Sequence, residues 1–196
     1  MCGIIGYVGR QEAAPILLEG LERMEYRGYD STGMAVCGDG VLRVCKKKGR
    51  VQVLREMSHD GADLPGTLGI GHTRWATHGE PSDVNAHPHL SQSGKFAVVH
   101  NGIIENFIAL KEELLQKGYT FRSETDTEVV AQLLDYYYSD CGDFFEAMNR
   151  LLHAVDGAYA LGIICADYPN ALIAARKDSP LIIGCGENEN FIASDV

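Results

Sequence analysis

A cysteine occupies the second position of the chain, directly after Met1 and ahead of the apolar run Gly3–Val8. Once Met1 is removed, the thiol and a free α-amine belong to the same residue. A free thiol has a pKa of ~8.5 and an α-amine one of ~7.7 to 8.0, so near neutral pH the amine can accept the thiol's proton. Cys2 is therefore predicted to be a nucleophile that carries its own general base. The alternative is a buried strand residue, because free cysteine packs as a small hydrophobic side chain.

A second candidate for chemistry is the pair Asn101-Gly102, which follows the apolar run 96–100. An asparagine NH₂ group and an unobstructed glycine N–H can both donate to the oxyanion that forms when a nucleophile attacks a carbonyl. The alternative is a tight turn, for which Asn-Gly is a strong signal. The residues alone leave both interpretations open.

Histidines are the third conspicuous group, with His87 and His89 on either side of Pro88, and with His72, His78 and His100 elsewhere in the chain. Such a set invites a metal hypothesis. No carboxylate or cysteine falls at the spacing of a known ligand motif, so we expect no metal.

Composition limits the class of protein. The 196 residues are 45% hydrophobic and 22% charged, which is typical of a globular domain, and the formal net charge of -10 is unsuited to a nucleic-acid surface. No apolar stretch reaches the ~20 residues that cross a bilayer, and the N-terminus lacks the pattern of a signal peptide. We therefore expect a cytoplasmic protein with no membrane contact, whose six dispersed cysteines are free thiols.

The apolar pattern predicts the elements that must position these residues. A helix is predicted from Ala13 to Gly28, a short one at 51–57, and three more whose apolar positions run from Phe107 to Val155. Residues 74–94 have no sustained period and are predicted to form a long ordered loop. Strands are predicted at 3–8, 32–37, 41–46, 66–73, 96–100, 158–165, 171–175, 181–185 and 190–193. Because most of these strands are joined by short turns, the sheets should be antiparallel.

Five separated segments of the chain stand out: Tyr26–Ser31, His72–Pro81, Asn85–His89, His100–Asn106 and Ser123–Glu128. Together they resemble the class II glutamine amidotransferases, which are N-terminal-nucleophile hydrolases. Trp75 and the pair Tyr29-Asp30 are similar to the hexosamine branch of that group, the glutaminase domains of glucosamine-6-phosphate synthases, and differ from its purine branch. The resemblance implies an α+β fold, a four-layer α-β-β-α sandwich of two antiparallel sheets flanked by helices.

The resemblance also implies roles for individual residues. Cys2 would be the nucleophile, with Asn101 and Gly102 as the oxyanion hole and Arg27 near the amine of the nucleophile. Glutamine would be bound by Arg74, Thr77 and His78 at its α-carboxylate and by Asp126 at its α-ammonium, with Trp75 as a gate over the ammonia exit. For Asp126 a second interpretation stays open, since Ser123 with Asp126, or Thr125 with Glu128, matches a capping box at a helix start. No cofactor and no metal are implied.

The activity implied is hydrolysis of L-glutamine to glutamate and ammonia. In the complete protein the ammonia would reach a sugar-phosphate isomerase domain, and the full-length chain would form a homodimer. We expect residues 1–196 to be one glutaminase domain that is truncated at its C-terminus and lacks that isomerase domain. Two alternatives remain: a class II amidotransferase with a different ammonia acceptor, or a domain that binds glutamine without cleaving it.

Overall fold

The computed structural model describes residues 2–76 and 79–195. These residues form five helices, α1 (Ala13–Arg23), α2 (Val51–Met57), α3 (Phe107–Gln116), α4 (Thr127–Cys141) and α5 (Phe144–Ala154). The strands are β1 (Gly3–Val8), β2 (Ser31–Gly38), β3 (Val41–Lys48), β4 (Leu68–Arg74), β5 (His89–Leu90), β6 (Phe96–Ile104), β7 (Gly157–Cys165), β8 (Leu172–Lys177), β9 (Ile182–Cys185) and β10 (Asn190–Ala193).

The strands form two antiparallel sheets, a six-stranded one ordered β3-β2-β4-β1-β10-β9 and a four-stranded one ordered β5-β6-β7-β8. Successive side chains of a strand point to opposite faces, and both faces of β1 are buried. Ile4 therefore belongs with Val99 to the core between the sheets, while Ile5 belongs with Leu17 of α1 to the core on the outer face. A third core packs α3, α4 and α5 against the smaller sheet around Val98. The predicted α-β-β-α sandwich is confirmed.

The strand that follows Cys2 lies in the middle of the larger sheet. β1 pairs with β4 on one side and β10 on the other, and Gly3 stands opposite Thr73. The main chain of Ile4 exchanges two hydrogen bonds with Ser194: its N–H donates to Oγ at 2.9 Å, and its carbonyl accepts from the N–H at 3.0 Å. This pairing holds Cys2 next to the end of β4.

Two elements differ from the sequence predictions. The helix predicted to end at Gly28 stops at Arg23 and is followed by a short 3-10 turn, Glu25–Arg27. The tight turn considered at Asn101-Gly102 is wrong, because β6 continues through both residues to Ile104 and pairs with β7 along its whole length. Pairing with β7 determines how far β6 extends, and the sequence around Asn101 carries no information about that partner strand.

No helix within residues 2–76 and 79–195 is both long and apolar enough to span a bilayer. All six cysteines are free thiols. The predicted long loop 74–94 also contains a short strand, β5, which pairs with β6 through His89 opposite Val98.

Candidate active site

A cavity of about 470 Å³ lies between the start of β1, the end of β4, the second half of β6 and the start of α4. Thr77 and His78 lie outside the described residues. The cavity is lined by every other site residue predicted from the sequence: Cys2, Arg27, Arg74, Trp75, Asn101, Gly102 and Asp126. The fold thus brings residues from five separate segments to one place.

The thiol of Cys2 contacts the main chain of Trp75. The Trp75 N–H donates to Sγ at 3.2 Å, and the thiol lies 3.5 Å from the Trp75 carbonyl oxygen. Burial raises the pKa of the Cys2 thiol, and the N–H of Trp75 offsets part of that rise. The thiol therefore stays protonated near neutral pH and needs a base before it can attack.

Arg27 is fixed against the main chain of Cys2. Its Nε donates to the Cys2 carbonyl at 3.3 Å, and its Nη1 lies 2.5 Å from a carboxylate oxygen of Asp195. The Arg27 side chain is 9% exposed and that of Asp195 is 33% exposed, so the ion pair is only partly shielded from solvent. The hydroxyl of Tyr26 donates to the same carboxylate. Asp195 could not be predicted from the sequence, because it lies 168 positions after Arg27 and only the fold joins them.

Asn101 and Gly102 lie in β6 beside Cys2. The Asn101 Nδ2 donates to the Cys2 carbonyl at 3.0 Å, which places its NH₂ group next to Cys2. Gly102 has φ +116°, and a Cβ at that position would lie 2.0 Å from the carbonyl oxygen of Ala158 in the paired strand. Only glycine fits this conformation and this close approach.

Arg74 is the last residue of β4 and is buried. Its guanidinium donates to the carbonyls of Gly79 at 3.2 Å and of Glu80 at 3.4 Å, which fixes the side chain at the cavity wall. The next residue, Trp75, is 50% exposed, and its ring meets that of Tyr29 edge to face with centroids 5.7 Å apart. Trp75 thus lies at the solvent side of the cavity.

Asp126 precedes α4 and is buried against β6. Its Oδ2 accepts the N–H of Ile104 at 2.8 Å, so the carboxylate connects the helix start to the strand. The predicted capping-box pairs are wrong: Asp126 is bound to β6 instead of Ser123. Glu128 accepts the N–H groups of Ser123 at 2.6 Å and of Arg122 at 2.9 Å. Asp126 is therefore held at the cavity, where a ligand cation can reach it.

A group of four buried histidines lies at the inner side of the cavity: His72, His87, His89 and His100. Two of them, His87 and His100, line it. The rings of His72 and His87 are 4.2 Å apart, and the hydroxyl of Thr127 is 2.9 Å from both His87 Nε2 and His100 Nδ1. Burial lowers the pKa of all four imidazoles, that of His72 to about 3. Among the described residues no three histidine, cysteine or acidic side chains are grouped so as to hold a metal ion.

These histidines predict a loss of stability in mild acid. Below pH ~6.5 the unfolded chain protonates them while the folded chain does not, so the free energy of unfolding falls as pH falls. Urea unfolding at pH 7.5 and 5.5 measures the loss. His72, His87 and His89, whose pKa lies well below its ordinary value, each contribute about 1.4 kcal/mol to it.

The matched variant for this measurement is His89→Gln, since the imidazole of His89 is buried and its Nε2 contacts the hydroxyl of Thr125 at 3.0 Å. Glutamine can keep that hydrogen bond but does not titrate. The variant should lose about 1.4 kcal/mol less than the parent between the two pH values. An equal loss in both proteins would contradict the prediction.

Several residues at the cavity were not assigned to it from the sequence. Ser179 and Pro180 come from the connection between β8 and β9, and no local pattern distinguishes them. Thr125 and Thr127 also line the cavity. They flank Asp126, so the motif that contains Asp126 could have identified them as site residues. His87 and His100 also line the cavity, a position that their sequence pattern does not predict.

Comparison with known proteins agrees with this geometry. Residues 72–196 match the model of the glutamine amidotransferase domain family. Over its whole length the chain is 61% identical to a glutamine–fructose-6-phosphate aminotransferase [isomerizing] of Caldanaerobacter subterraneus subsp. tengcongensis. It is 57% identical to the protein of that name in Clostridium tetani. The chain spans 32% of the length of each of these relatives.

A solved structure is similar as well. The glutamine phosphoribosylpyrophosphate amidotransferase from B. subtilis matches with a TM-score of 0.84 and 30% identity, over 98% of this chain and 42% of that one. The family match includes Arg74, Asn101 and Asp126, and the aligned relatives extend it over Cys2. The resemblance first seen in separate motifs is thereby confirmed, and the chain belongs to the family of glutamine amidotransferase domains.

Proposed function

We propose that this chain hydrolyses L-glutamine to L-glutamate and ammonia, with Cys2 as the nucleophile. One observation carries the proposal: a single cavity contains the thiol of Cys2, the amide of Asn101, the guanidinium of Arg74 and the carboxylate of Asp126. These groups complement the carboxamide, the α-carboxylate and the α-ammonium of glutamine.

The proposed reaction begins with proton transfer. After removal of Met1, the α-amine of Cys2 takes the thiol proton, and the thiolate attacks the carboxamide carbon. The oxyanion accepts hydrogen bonds from the second N–H of Asn101 Nδ2 and from the Gly102 N–H. The protonated amine then gives its proton to the departing nitrogen, which leaves as ammonia. The amine next takes a proton from water as its oxygen attacks the resulting thioester. The C–S bond then breaks, the sulfur recovers the proton from the amine, and glutamate is released.

The other residues bind or enclose the substrate in this proposal. The guanidinium of Arg74 pairs with the α-carboxylate, alongside Thr77 and His78, and Asp126 pairs with the α-ammonium. Arg27 holds the carbonyl of Cys2 and so orients the nucleophile. Trp75 covers the cavity on the side where ammonia leaves.

Replacing Arg74 with lysine should raise KM for glutamine by about 10- to 100-fold with a smaller change in kcat. Lysine keeps the charge but loses the planar pair of donors that fits a carboxylate, and a lost charge-assisted hydrogen bond costs about 1.5 to 3 kcal/mol. Steady-state kinetics give both constants. Arg43→Lys is the matched control, since Arg43 lies in the β2-β3 hairpin and donates to the carbonyl of Gly38. An unchanged KM in R74K would contradict the assignment.

In a longer protein, we propose, the ammonia aminates fructose 6-phosphate at a sugar-phosphate isomerase domain, and that protein is a homodimer. The support is the identity of 61% and 57% to aminotransferases of which this chain spans 32%. A different ammonia acceptor is less favoured, because the phosphoribosylpyrophosphate amidotransferase is only 30% identical.

The direct test is incubation of the purified chain, shown by intact mass to lack Met1, with L-glutamine. We expect glutamate and ammonia in equal amounts. L-Asparagine, one methylene shorter, should react far more slowly, because its carboxamide cannot reach Cys2 while its α-groups are bound. Glutamine binding by calorimetry without ammonia release would instead indicate a non-catalytic binding domain.

A further inference from the structure

The ring of His72 lies directly behind Asn101. Its Nε2 is 3.0 Å from the side-chain oxygen Oδ1 of Asn101 and 3.1 Å from the main-chain carbonyl oxygen of His100. His72 is completely buried in β4, opposite Ile4 of β1 and Gly33 of β2, so the ring is held by strands on both sides.

The carbonyl of His100 determines the protonation of this ring. A main-chain carbonyl can only accept hydrogen bonds, so Nε2 of His72 must carry the hydrogen. The Asn101 atom that faces Nε2 must then also be an acceptor, which is the oxygen. The NH₂ group of Asn101 is consequently on the opposite side, where it donates to the Cys2 carbonyl at 3.0 Å.

A second observation agrees with this tautomer. The other ring nitrogen, Nδ1 of His72, is buried and has no hydrogen-bond partner among the described residues. An imidazole protonated at Nε2 leaves Nδ1 as a bare acceptor, which is far less costly to bury alone than an unpartnered N–H of a charged ring. Reversing the Asn101 amide would direct its NH₂ at an N–H donor and its oxygen at the Cys2 carbonyl, and both contacts repel.

We propose that His72 is a positioning residue, which fixes the Asn101 amide with its NH₂ group toward the reacting carbonyl of the substrate. The inference rests on the proposed function, in which Asn101 stabilises the oxyanion. His72 touches the substrate at no point and neither gives nor takes a proton. Its contribution is to keep the donor oriented before the oxyanion forms, so that no reorganisation is needed during the reaction.

Substitution of His72 tests this role. His72→Leu frees the amide to rotate, so kcat should fall about 10- to 100-fold while KM changes by less than about threefold. His72→Gln places an N–H donor near the position of Nε2 and should restore kcat to within about fivefold of the parent. His72→Asn is too short to do so and should resemble His72→Leu.

A double-mutant cycle distinguishes positioning from a structural role. In an Asn101→Ala background there is no amide to orient, so His72→Leu should change kcat by less than about threefold. A persistent 10- to 100-fold fall in that background would overturn the proposal, as would full activity of His72→Leu alone. His89→Gln, buried in the same histidine group but bonded to Thr125, is the control and should keep the parental kcat. If His72→Leu fails to fold, equal activities of His72→Gln and His72→Asn would overturn it.

A readout that is independent of activity is the ¹⁵N NMR spectrum of the histidine rings in the parent chain. We expect His72 to be protonated at Nε2 alone between about pH 5 and pH 8. Protonation at Nδ1 would overturn the proposal even in an active protein. Absence of glutamine hydrolysis by the parent would refute the proposed function instead, and the spectrum would still decide how Asn101 is oriented.

Discussion

Replacing Cys2 with alanine is expected to lower the rate of glutamine hydrolysis by about four to six orders of magnitude and to leave the fold intact. The change removes one sulfur atom at the cavity and no hydrogen bond within β1. The amine, Asn101 and Gly102 all remain, so any residual rate measures what the cavity contributes without a nucleophile. Ammonia release in a coupled assay, with circular dichroism as the check on folding, measures the effect.

The control for this variant is Cys185→Ala, which removes an exposed thiol in β9. It should keep the parental rate. Cys2→Ser keeps the position and the amine but has a far less acidic hydroxyl, and it should fall between the parent and Cys2→Ala. If Cys2→Ala kept more than about one hundredth of the parental rate, the nucleophile would lie elsewhere.

Replacing Asn101 with alanine should reduce kcat by about 10² to 10³-fold with little change in KM. The NH₂ group of Asn101 already lies next to Cys2, 3.0 Å from the Cys2 carbonyl, so its second N–H can meet the oxyanion as it forms. In the proposed binding mode, Arg74 and Asp126 bind glutamine through its α-groups, and Asn101→Ala leaves these contacts unchanged. The effect therefore belongs to the transition state and appears in kcat.

Two further variants sharpen this prediction. Asn101→Asp places a carboxylate beside the oxyanion and should be at least as damaging as Asn101→Ala, because like charges repel. Asn149→Ala, at an exposed position of α5, is the matched control and should be unaffected. A fall in Asn101→Ala seen only in KM would mean that Asn101 binds the ground state and does not stabilise the oxyanion.

The fold was predictable wherever local pattern and tertiary structure agree. β1 reads as a continuous apolar run because both of its faces are buried, and the hairpin of β2 and β3 follows from its glycine-containing turn. The strand predicted at 96–100 is longer than expected: it continues through Asn101-Gly102, where a strong turn signal lies inside a paired strand. Glycine is required there because Gly102 has a positive φ and lies close to the carbonyl of Ala158 in β7. The sequence does not reveal this tertiary contact.

The candidate site shows the same contrast between residues that a local motif identifies and residues that only the fold brings close. Cys2 was singled out by the chemistry of its own residue, whereas Arg74 and Asp126 were singled out by the family resemblance of the motifs that contain them; all three line the cavity. Asp195 and Ser179 were not predicted, because they reach the site from distant segments and have no motif of their own. The hydrogen bond of Asp126 was not predicted. Instead of capping the helix start, its carboxylate accepts the N–H of Ile104 in β6.

The measurement that tests the central claim most directly is intact mass combined with glutaminase activity, on preparations that differ in the fraction of chains retaining Met1. If the base is the α-amine of Cys2, specific activity should be proportional to the fraction of chains that begin at Cys2. A variant with one extra residue that blocks processing should then be inactive although it is folded. Equal activity in processed and unprocessed chains would contradict the account, because an amide nitrogen in a peptide bond cannot accept the proton of the thiol.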